Sequence, residues 1–453
     1  MALPHQLIQS LQNVKGFNQD TFIQVHQSGE QVTSIRLNPK KKSTGYNIQA
    51  QVPWSKDGYY LNERPSFTLD PTFHAGAYYV QEASSMFLQQ ALQQTVDLTQ
   101  PIKVLDLCAA PGGKSTLIQS IISNDSILVS NEVIKTRVNI LTENITKWGA
   151  ANVIVTNNDP KDFKRLQNYF DIIVVDAPCS GSGLFRKDIT AIEEWSENNV
   201  QLCSQRQQRI LADVLPSLKQ DGVIIYSTCS YSQAEDEEIA DWLVNDCNLS
   251  TINLQIEAVW NIVETQAPQS NAYGYRFYPD KVKGEGFFLA AFKKTVASNF
   301  EEIVIKQKVA PEKITKTEIQ VVEHWLKNTV EYFFIKQNDE IIAMPLSLQD
   351  DLLIIQATLY IKKAGIKLGT VIRNELIPHH ELAVSSCIND TIAFIPVDLQ
   401  TALQYLRRND IVINTSIKGW ALLTYQQLPL GWIKILPNRI NNYYPKEWRI
   451  FNK

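Results

Sequence analysis

Apolar residues along the chain change rhythm twice. Over residues 1–97 they come in short alternating runs, such as Thr33-Ser-Ile-Arg-Leu37 and Tyr59-Tyr-Leu61, set among turn-forming residues, and this predicts a small α+β unit. A helix is predicted over 81–93, where Ser84 and Ser85 precede an apolar face of Met86, Phe87 and Leu88. From Ile102 onward, apolar runs at 102–107, 127–131, 152–156, 171–176 and 222–227 have the length of buried strands, and helical spacing fills 114–123, 135–148 and 199–218. Strand, helix, strand in that order predicts a parallel, doubly wound α/β domain of Rossmann-like type over 98–294, with 287–292 as its last strand.

The second change follows. Residues 294–316 are rich in Lys, Glu, Thr and Ser, hold Pro311, and read as a linker. Residues 295–360 as a whole are expected to form that linker and a mixed α+β segment, with a helix at 316–327. Short strands broken by Gly365, Gly369, Gly419 and Gly431 then predict a small β-barrel-like end domain over 361–453.

Composition narrows the class. At 453 residues the chain has room for several cores. No apolar run is long enough to span a bilayer, and the first residues show neither a basic region nor an apolar stretch of a secretory leader, so a cytoplasmic address is expected. The six cysteines (108, 179, 203, 229, 247, 387) form no Cys-x-x-Cys pair and no zinc-like spacing with His; free thiols and no metal are expected. Net charge is −4, yet residues 361–453 carry twelve Lys/Arg against six Asp/Glu, which makes the tail +6 and the remainder −10. A basic module on an acidic body is the asymmetry of a tethered nucleic-acid-binding unit.

Every suggestive polar residue falls at the carboxyl end of a predicted strand, where an open parallel sheet binds its ligands. Asp106 to Lys114 follow the first strand, Glu132 ends the second, Asp159 follows the third, Asp176 and Cys179 the fourth, and Cys229 the fifth. The loop Cys108-Ala-Ala-Pro-Gly-Gly-Lys114 has small residues where a ligand must approach backbone, but it is neither a Walker A loop nor Gly-x-Gly-x-x-Gly. Glu132 is placed to accept the hydroxyls of a ribose, and Asp159 to bond an adenine amino group. A nucleoside cofactor with little phosphate is implied, and S-adenosyl-L-methionine satisfies this. Cys108, Cys203, Cys247 and Cys387 read as small buried hydrophobes. Cys179 and Cys229 differ, because each sits on a turn at a strand end. A thiolate there can add to C6 of a pyrimidine and turn C5 into a nucleophile able to take a methyl group, with Asp176, held protonated, donating to the cytosine N3. Arg186, Lys187, Arg206 and Arg209 are candidate phosphate contacts, and Arg137 is placed to orient Glu132.

Leu105-Asp-Leu-Cys-Ala-Ala-Pro-Gly-Gly-Lys-Ser115, Asp176-Ala-Pro-Cys-Ser-Gly-Ser-Gly183 and Ser227-Thr-Cys-Ser-Tyr231, in that order, resemble the signature motifs of the Nol/Nop/Sun family of RNA 5-methylcytosine methyltransferases. Gly76-Ala-Tyr-Tyr-Val-Gln-Glu-Ala-Ser-Ser85 is similar to the family's segment before the catalytic domain. The stretch from Leu428 to Arg449 resembles the PUA-like RNA-binding end domain of the F-type small-subunit (16S) rRNA methyltransferases. The resemblance implies Cys229 as nucleophile, Cys179 as the thiol that aids product release, and Asp176 beside them. It also implies cofactor contacts from Cys108, Ala109, Ala110, Pro111, Gly112, Gly113, Lys114, Glu132, Asp159 and Asp176. Where the family usually has Gly-Asp, this chain has Asn158-Asp159.

The expected activity is therefore S-adenosylmethionine-dependent cytosine-C5 methylation of small-subunit rRNA, by a monomer with an N-terminal RNA-binding unit and no membrane or metal partner. Transfer RNA as substrate and a ribosome-assembly scaffold are the alternatives. A DNA cytosine methyltransferase would place its nucleophile in the Pro-Cys loop and have no need of the Thr-Cys thiol. Trp420, Tyr425, Trp432, Tyr443 and Tyr444 are candidate base-stacking residues, in competition with core packing.

Overall fold

A computed structural model of the chain describes residues 3–296, 312 and 314–451; most of the linker expected over 294–316, Pro311 included, and Lys453 lie outside the described residues. Two helices, His5–Leu11 and Gln19–Gln27, open the fold, the second capped by Asn18, whose side chain accepts from the Thr21 N–H. Strands β1 (Ser34–Leu37), β2 (Ile48–Gln51), β3 (Gly58–Leu61) and β4 (Tyr78–Val80) make an antiparallel sheet in the order β2-β3-β1-β4. The helix expected over 81–93 starts later: a 3-10 turn, Ser84–Phe87, leads into a helix at Leu88–Thr95.

The central sheet is built on β5 (Lys103–Asp106), β6 (Ile127–Asn131), β7 (Val153–Thr156), β8 (Phe170–Asp176) and β9 (Leu218–Thr228), parallel and ordered β7-β6-β5-β8-β9. Its strands are near-continuous apolar runs because both faces are covered. Val104, Leu128, Val153 and Ile172 face Leu117 and Ile118 of helix Gly113–Ile121. Leu105, Val129, Ile173 and Ile224 face Ile210, Leu211 and Val214 of helix Glu197–Val214. Beyond β9 come strands β10 (Leu249–Ile252), β11 (Val263–Gln266), β12 (Tyr273–Phe277) and β13 (Phe287–Lys294), all antiparallel additions, with β13 against β9.

The remainder departs from a simple end domain. Strands β14 (Tyr332–Gln337) and β15 (Glu340–Pro345) precede β16 (Ile361–Ala364), which pairs antiparallel with β7, Ile361 opposite Thr156 and Ala364 opposite Ile154. Gly365, at φ +51, turns the chain at once into β17 (Ile366–Ile372); a Cβ there would lie 2.3 Å from the Ala343 carbonyl oxygen. With β18 (Glu375–Pro378) these strands form the sheet β14-β15-β17-β18, so the boundary expected after residue 360 falls inside a sheet. The last sheet is β19 (Phe394–Pro396), β20 (Gly419–Tyr425), β21 (Leu428–Leu436) and β22 (Arg439–Asn442). Its core is shared with the N-terminal sheet: Ile35, Leu61 and Tyr78 pack with Ile433, Tyr405 and Tyr444. Trp432 and Tyr444 are fully buried, which removes both from the stacking candidates; Trp420 and Tyr425 are half-buried and Tyr443 is exposed.

Candidate active site

The loop after β5 is pinned before it turns. Asp106, fully buried, accepts from Ser115 Oγ at 2.6 Å, which ties the strand end to the first turn of helix Gly113–Ile121. Burial pushes the Asp106 carboxyl up to about 7, against the pull of Ser115 and Lys114. Gly112 makes the turn at φ +116, a conformation L side chains avoid. The Ala109 N–H donates to the Asn131 carbonyl at 2.8 Å. The Asn131 amide then joins three strand ends, donating to the carbonyls of Leu107 (3.1 Å) and Asn158 (3.0 Å) and accepting from Thr156 Oγ1 and the Asn158 N–H. The sequence reading missed Asn131; its place at a strand end beside Glu132 was the only signal.

Glu132 is 2% exposed. Its Oε1 accepts from the Ile134 N–H at 2.9 Å, while Oε2 lies 3.4 Å from Arg137 Nη1 and has no hydrogen-bond donor among the described residues. Arg137 also donates through Nη2 to the Ala110 carbonyl at 2.6 Å, so it links this carboxylate to the loop, as its position suggested. A buried acceptor without a donor beside a glycine turn fits the hydroxyls of a nucleoside. Asp159 caps the 3-10 turn Pro160–Arg165, its Oδ1 accepting from Lys161 N–H at 3.1 Å. Next to it, Asn158 exchanges two hydrogen bonds with the Tyr360 backbone, 3.0 Å to the carbonyl and 2.9 Å from the N–H. Cys108 is half-buried and its thiol is pushed up by burial, so it stays neutral.

The parallel register of β8 and β9 sets Asp176 opposite Ser227 and so brings the two following turns to one height. There Cys179 Sγ and Cys229 Sγ lie 2.9 Å apart. The loops are laced together: Gly183 N–H donates to the Cys229 carbonyl at 2.8 Å and Tyr231 N–H to Ser182 Oγ at 2.9 Å. The hydrogen bond with Cys229, then burial, holds the Cys179 thiol well above its ordinary range. Asp176 Oδ2 meets Lys114 Nζ at 2.7 Å and its Oδ1 accepts from Ser227 Oγ at 2.9 Å. Both oxygens are therefore already engaged here, so the expected bond from Asp176 to a cytosine N3 requires Lys114 to move away.

A cavity of about 430 Å³ opens over Cys229, between the catalytic sheet and the N-terminal unit; Asp176, Lys114 and Phe287 line its floor, Arg64 and Lys187 its mouth. Of the four cations expected on phosphates, Arg186 is engaged: it donates to the carbonyls of Gly284 (3.3 Å) and Glu30 and faces Glu285 at 3.6 Å, because the N-terminal unit closes over it. Lys187, Arg206 and Arg209 are exposed. Among the described residues no cluster of His, Cys, Asp or Glu gathers to hold a metal ion, and no helix is long and apolar enough to cross a membrane.

Comparison with known proteins identifies the family of each module. Residues 93–293 match the family model of the 16S rRNA methyltransferase RsmB/F, residues 3–83 the N-terminal domain of 16S rRNA methyltransferase RsmF, and residues 393–450 the methyltransferase RsmF PUA domain. The chain is 30% identical to the ribosomal RNA small subunit methyltransferase F of Shewanella loihica over 91% of its length and 88% of that protein's. It is 28% identical to the one of Vibrio vulnificus over 98% and 97%. Among solved structures, a methyltransferase homologue from Pyrococcus horikoshii, 27% identical, superposes with a TM-score of 0.52 over 64% of this chain and all of that one. NSun6 from Pyrococcus horikoshii, solved with SFG, shares the fold at 19% identity and a TM-score of 0.53, over 65% of this chain and 98% of that one. With its glycine turn, buried carboxylate at the next strand end and paired thiols on a Rossmann-like sheet between N-terminal and PUA modules, the chain belongs to the RsmF branch of the S-adenosylmethionine-dependent 16S rRNA methyltransferases.

Proposed function

We propose that this chain methylates C5 of a cytosine in small-subunit rRNA, acting as a single chain in the cytoplasm. The observation that carries the reading is the pair of sulfurs 2.9 Å apart, with Cys229 lining a cavity that Asp176 and Lys114 also line. S-adenosylmethionine, when bound, supplies the methyl group. Glu132 Oε2 would accept from its ribose, Asp159 Oδ2 from its adenine amino group, and the backbone of residues 108–114 would line the rest. The target base must be unstacked and flipped into the cavity at a cost of about a few kcal/mol, which contacts of phosphates with Arg64 and Lys187 at the mouth would offset.

Cys229 Sγ, as thiolate, adds to C6, and the electron pair displaced to C5 takes the methyl group. Transfer of the C5 proton to a base, water in the cavity, lets the C–H electron pair re-form the C5=C6 bond as the Sγ–C6 bond breaks and Cys229 leaves as thiolate. Cys179 assists this release, since its sulfur lies 2.9 Å from the sulfur that must leave. Asp176, with Lys114 drawn off, is placed to bond the pyrimidine edge.

The test is methyl transfer from labelled S-adenosylmethionine to total RNA of a strain lacking the protein. Loss of transfer in Cys229→Ala and a trapped protein–RNA adduct in Cys179→Ala are expected, with label in small-subunit rRNA. An adduct trapped by Cys229→Ala would reverse the two roles. Label in transfer RNA would change the substrate, and no transfer under any RNA state would favour a scaffold.

A further inference from the structure

Glu235, on the 3-10 turn Gln233–Glu235, is fully buried beneath both thiol loops and has no ion-pair partner among the described residues. Removing a carboxylate from water without a cation is unfavourable unless several donors converge on it. Here four do. Oε1 accepts from the Ser180 N–H at 2.8 Å and Gln207 Nε2 at 3.2 Å, and Oε2 from Ser180 Oγ at 2.5 Å and Ser230 Oγ at 2.6 Å. Ser180 directly follows Cys179 and Ser230 directly follows Cys229. Gln207 also donates to the carbonyl of Pro178, the residue before Cys179, at 3.1 Å, and is itself held by the Tyr226 hydroxyl at 2.9 Å. Other bonds also join the loops, from the Gly183 N–H to the Cys229 carbonyl and the Tyr231 N–H to Ser182 Oγ, with Ser230 Oγ 3.4 Å from Ser180 Oγ and 3.5 Å from Ser182 Oγ; the carboxylate is the charged group on which the residues next to both sulfurs converge.

We propose that Glu235 is the positioning residue that sets the separation of the two thiols, so that the sulfur that forms the adduct and the sulfur that assists its release stay within reach of one another. This rests on the two-thiol reading above and adds to it a residue that touches neither substrate nor cofactor. The same carboxylate, beside Cys179, adds to the forces that keep that thiol protonated. Glu235→Gln is the informative change: it keeps the shape and one acceptor, but turns an NH2 group toward hydroxyl and amide donors.

The experiment compares full-length wild type, Glu235→Gln and Ser230→Ala in three ways: affinity for S-adenosylmethionine, kcat and KM on rRNA, and capture of phenylarsine oxide, which needs two adjacent thiols and no RNA. Glu235→Gln is expected to keep cofactor affinity and KM within about twofold of wild type, to lose about 100-fold in kcat, the usual cost of misplacing reacting groups by about an ångström, and to lose arsenical capture. Ser230→Ala, which removes one of the four donors, is expected to lose about tenfold in kcat. Wild-type kcat and arsenical capture in Glu235→Gln would overturn the proposal. So would a parallel loss of cofactor affinity and kcat in both variants, which marks a merely structural role. If Cys229→Ala stayed fully active the thiol chemistry would fall, yet arsenical capture by Glu235→Gln against wild type would still decide whether Glu235 sets the spacing.

Discussion

At the scale of single residues, what a side chain does in this molecule is decided by which donors reach it. Asp106 has one hydroxyl donor and full burial, so its carboxyl rises from 3.8 to about 7. An acid whose folded pKa is raised binds protons in the folded state that the unfolded chain has released, so it lowers stability as pH climbs through the interval from about 4 to about 7. Asp106→Asn, which keeps the shape without the titration, should therefore gain on wild type by on the order of 2 kcal/mol between pH 5 and pH 8. Urea unfolding of both at the two pH values checks this, and the difference isolates Asp106 from Glu285, also raised to about 7, and from His74 and Lys41, whose lowered pKa values act in the opposite sense. An equal difference at both pH values would remove the titration from Asp106. Cys179, Cys229, Asp176 and Glu132 were legible in the sequence because each ends a strand whose apolar run announces it. Glu235 was not, since its partner Ser180 is 55 residues away and nothing in spacing foretells the contact.

At the scale of elements, the parallel strands were legible for the same reason that they fold: both faces are buried, so each is an uninterrupted apolar run, and β6 matches the expected 127–131 throughout. Strand β16, Ile361-Lys-Lys-Ala364, was not. Two lysines in four residues read as surface, and its partner β7 lies some 200 residues earlier in the chain. What commits it to that edge is Asn158, which bonds both the N–H and the carbonyl of Tyr360. Those bonds fix the chain at the residue before β16, covering the edge that β7 would otherwise expose. Asn158→Gly leaves only the 3.2 Å bond from Asn157 N–H to the Tyr360 carbonyl. Removing two bonds of about 1 kcal/mol each should speed amide exchange over 361–364 by about tenfold or more, with β5 and β6 unchanged. Unchanged exchange at 361–364 would show that the ladder with β7 and side-chain packing seat the strand without Asn158.

At the scale of the whole molecule, the modules are not beads on a string. Ile35 and Tyr78 of the N-terminal sheet share a core with Ile433 and Tyr444, and Arg36, buried, donates to Thr116 Oγ1 at 2.6 Å in the helix after the glycine turn. Deleting the tail would therefore bare apolar surface and strip β16 from the central sheet, so weaker RNA binding after truncation would not report on charge. Surface substitutions can. The tail's +6 against −10 elsewhere was legible from composition, and on β20 to β22 it meets exposed aromatic surface: Lys434 Nζ lies 5.1 Å from the Trp420 ring centroid, and Trp420 packs on the exposed Tyr443 at 4.5 Å. A cation beside a ring is the arrangement that tracks an RNA backbone and stacks a base. Lys434→Ala combined with Arg439→Ala should lower rRNA affinity and reduce the slope of log affinity against log salt by roughly 1.5 to 2, one counterion's worth for each phosphate left without its cation, while S-adenosylmethionine binding and the thermal midpoint hold. An unchanged slope would place the RNA path elsewhere, over the cavity mouth at Arg64 and Lys187, where the same pair of measurements on Arg64→Ala with Lys187→Ala would then show the loss.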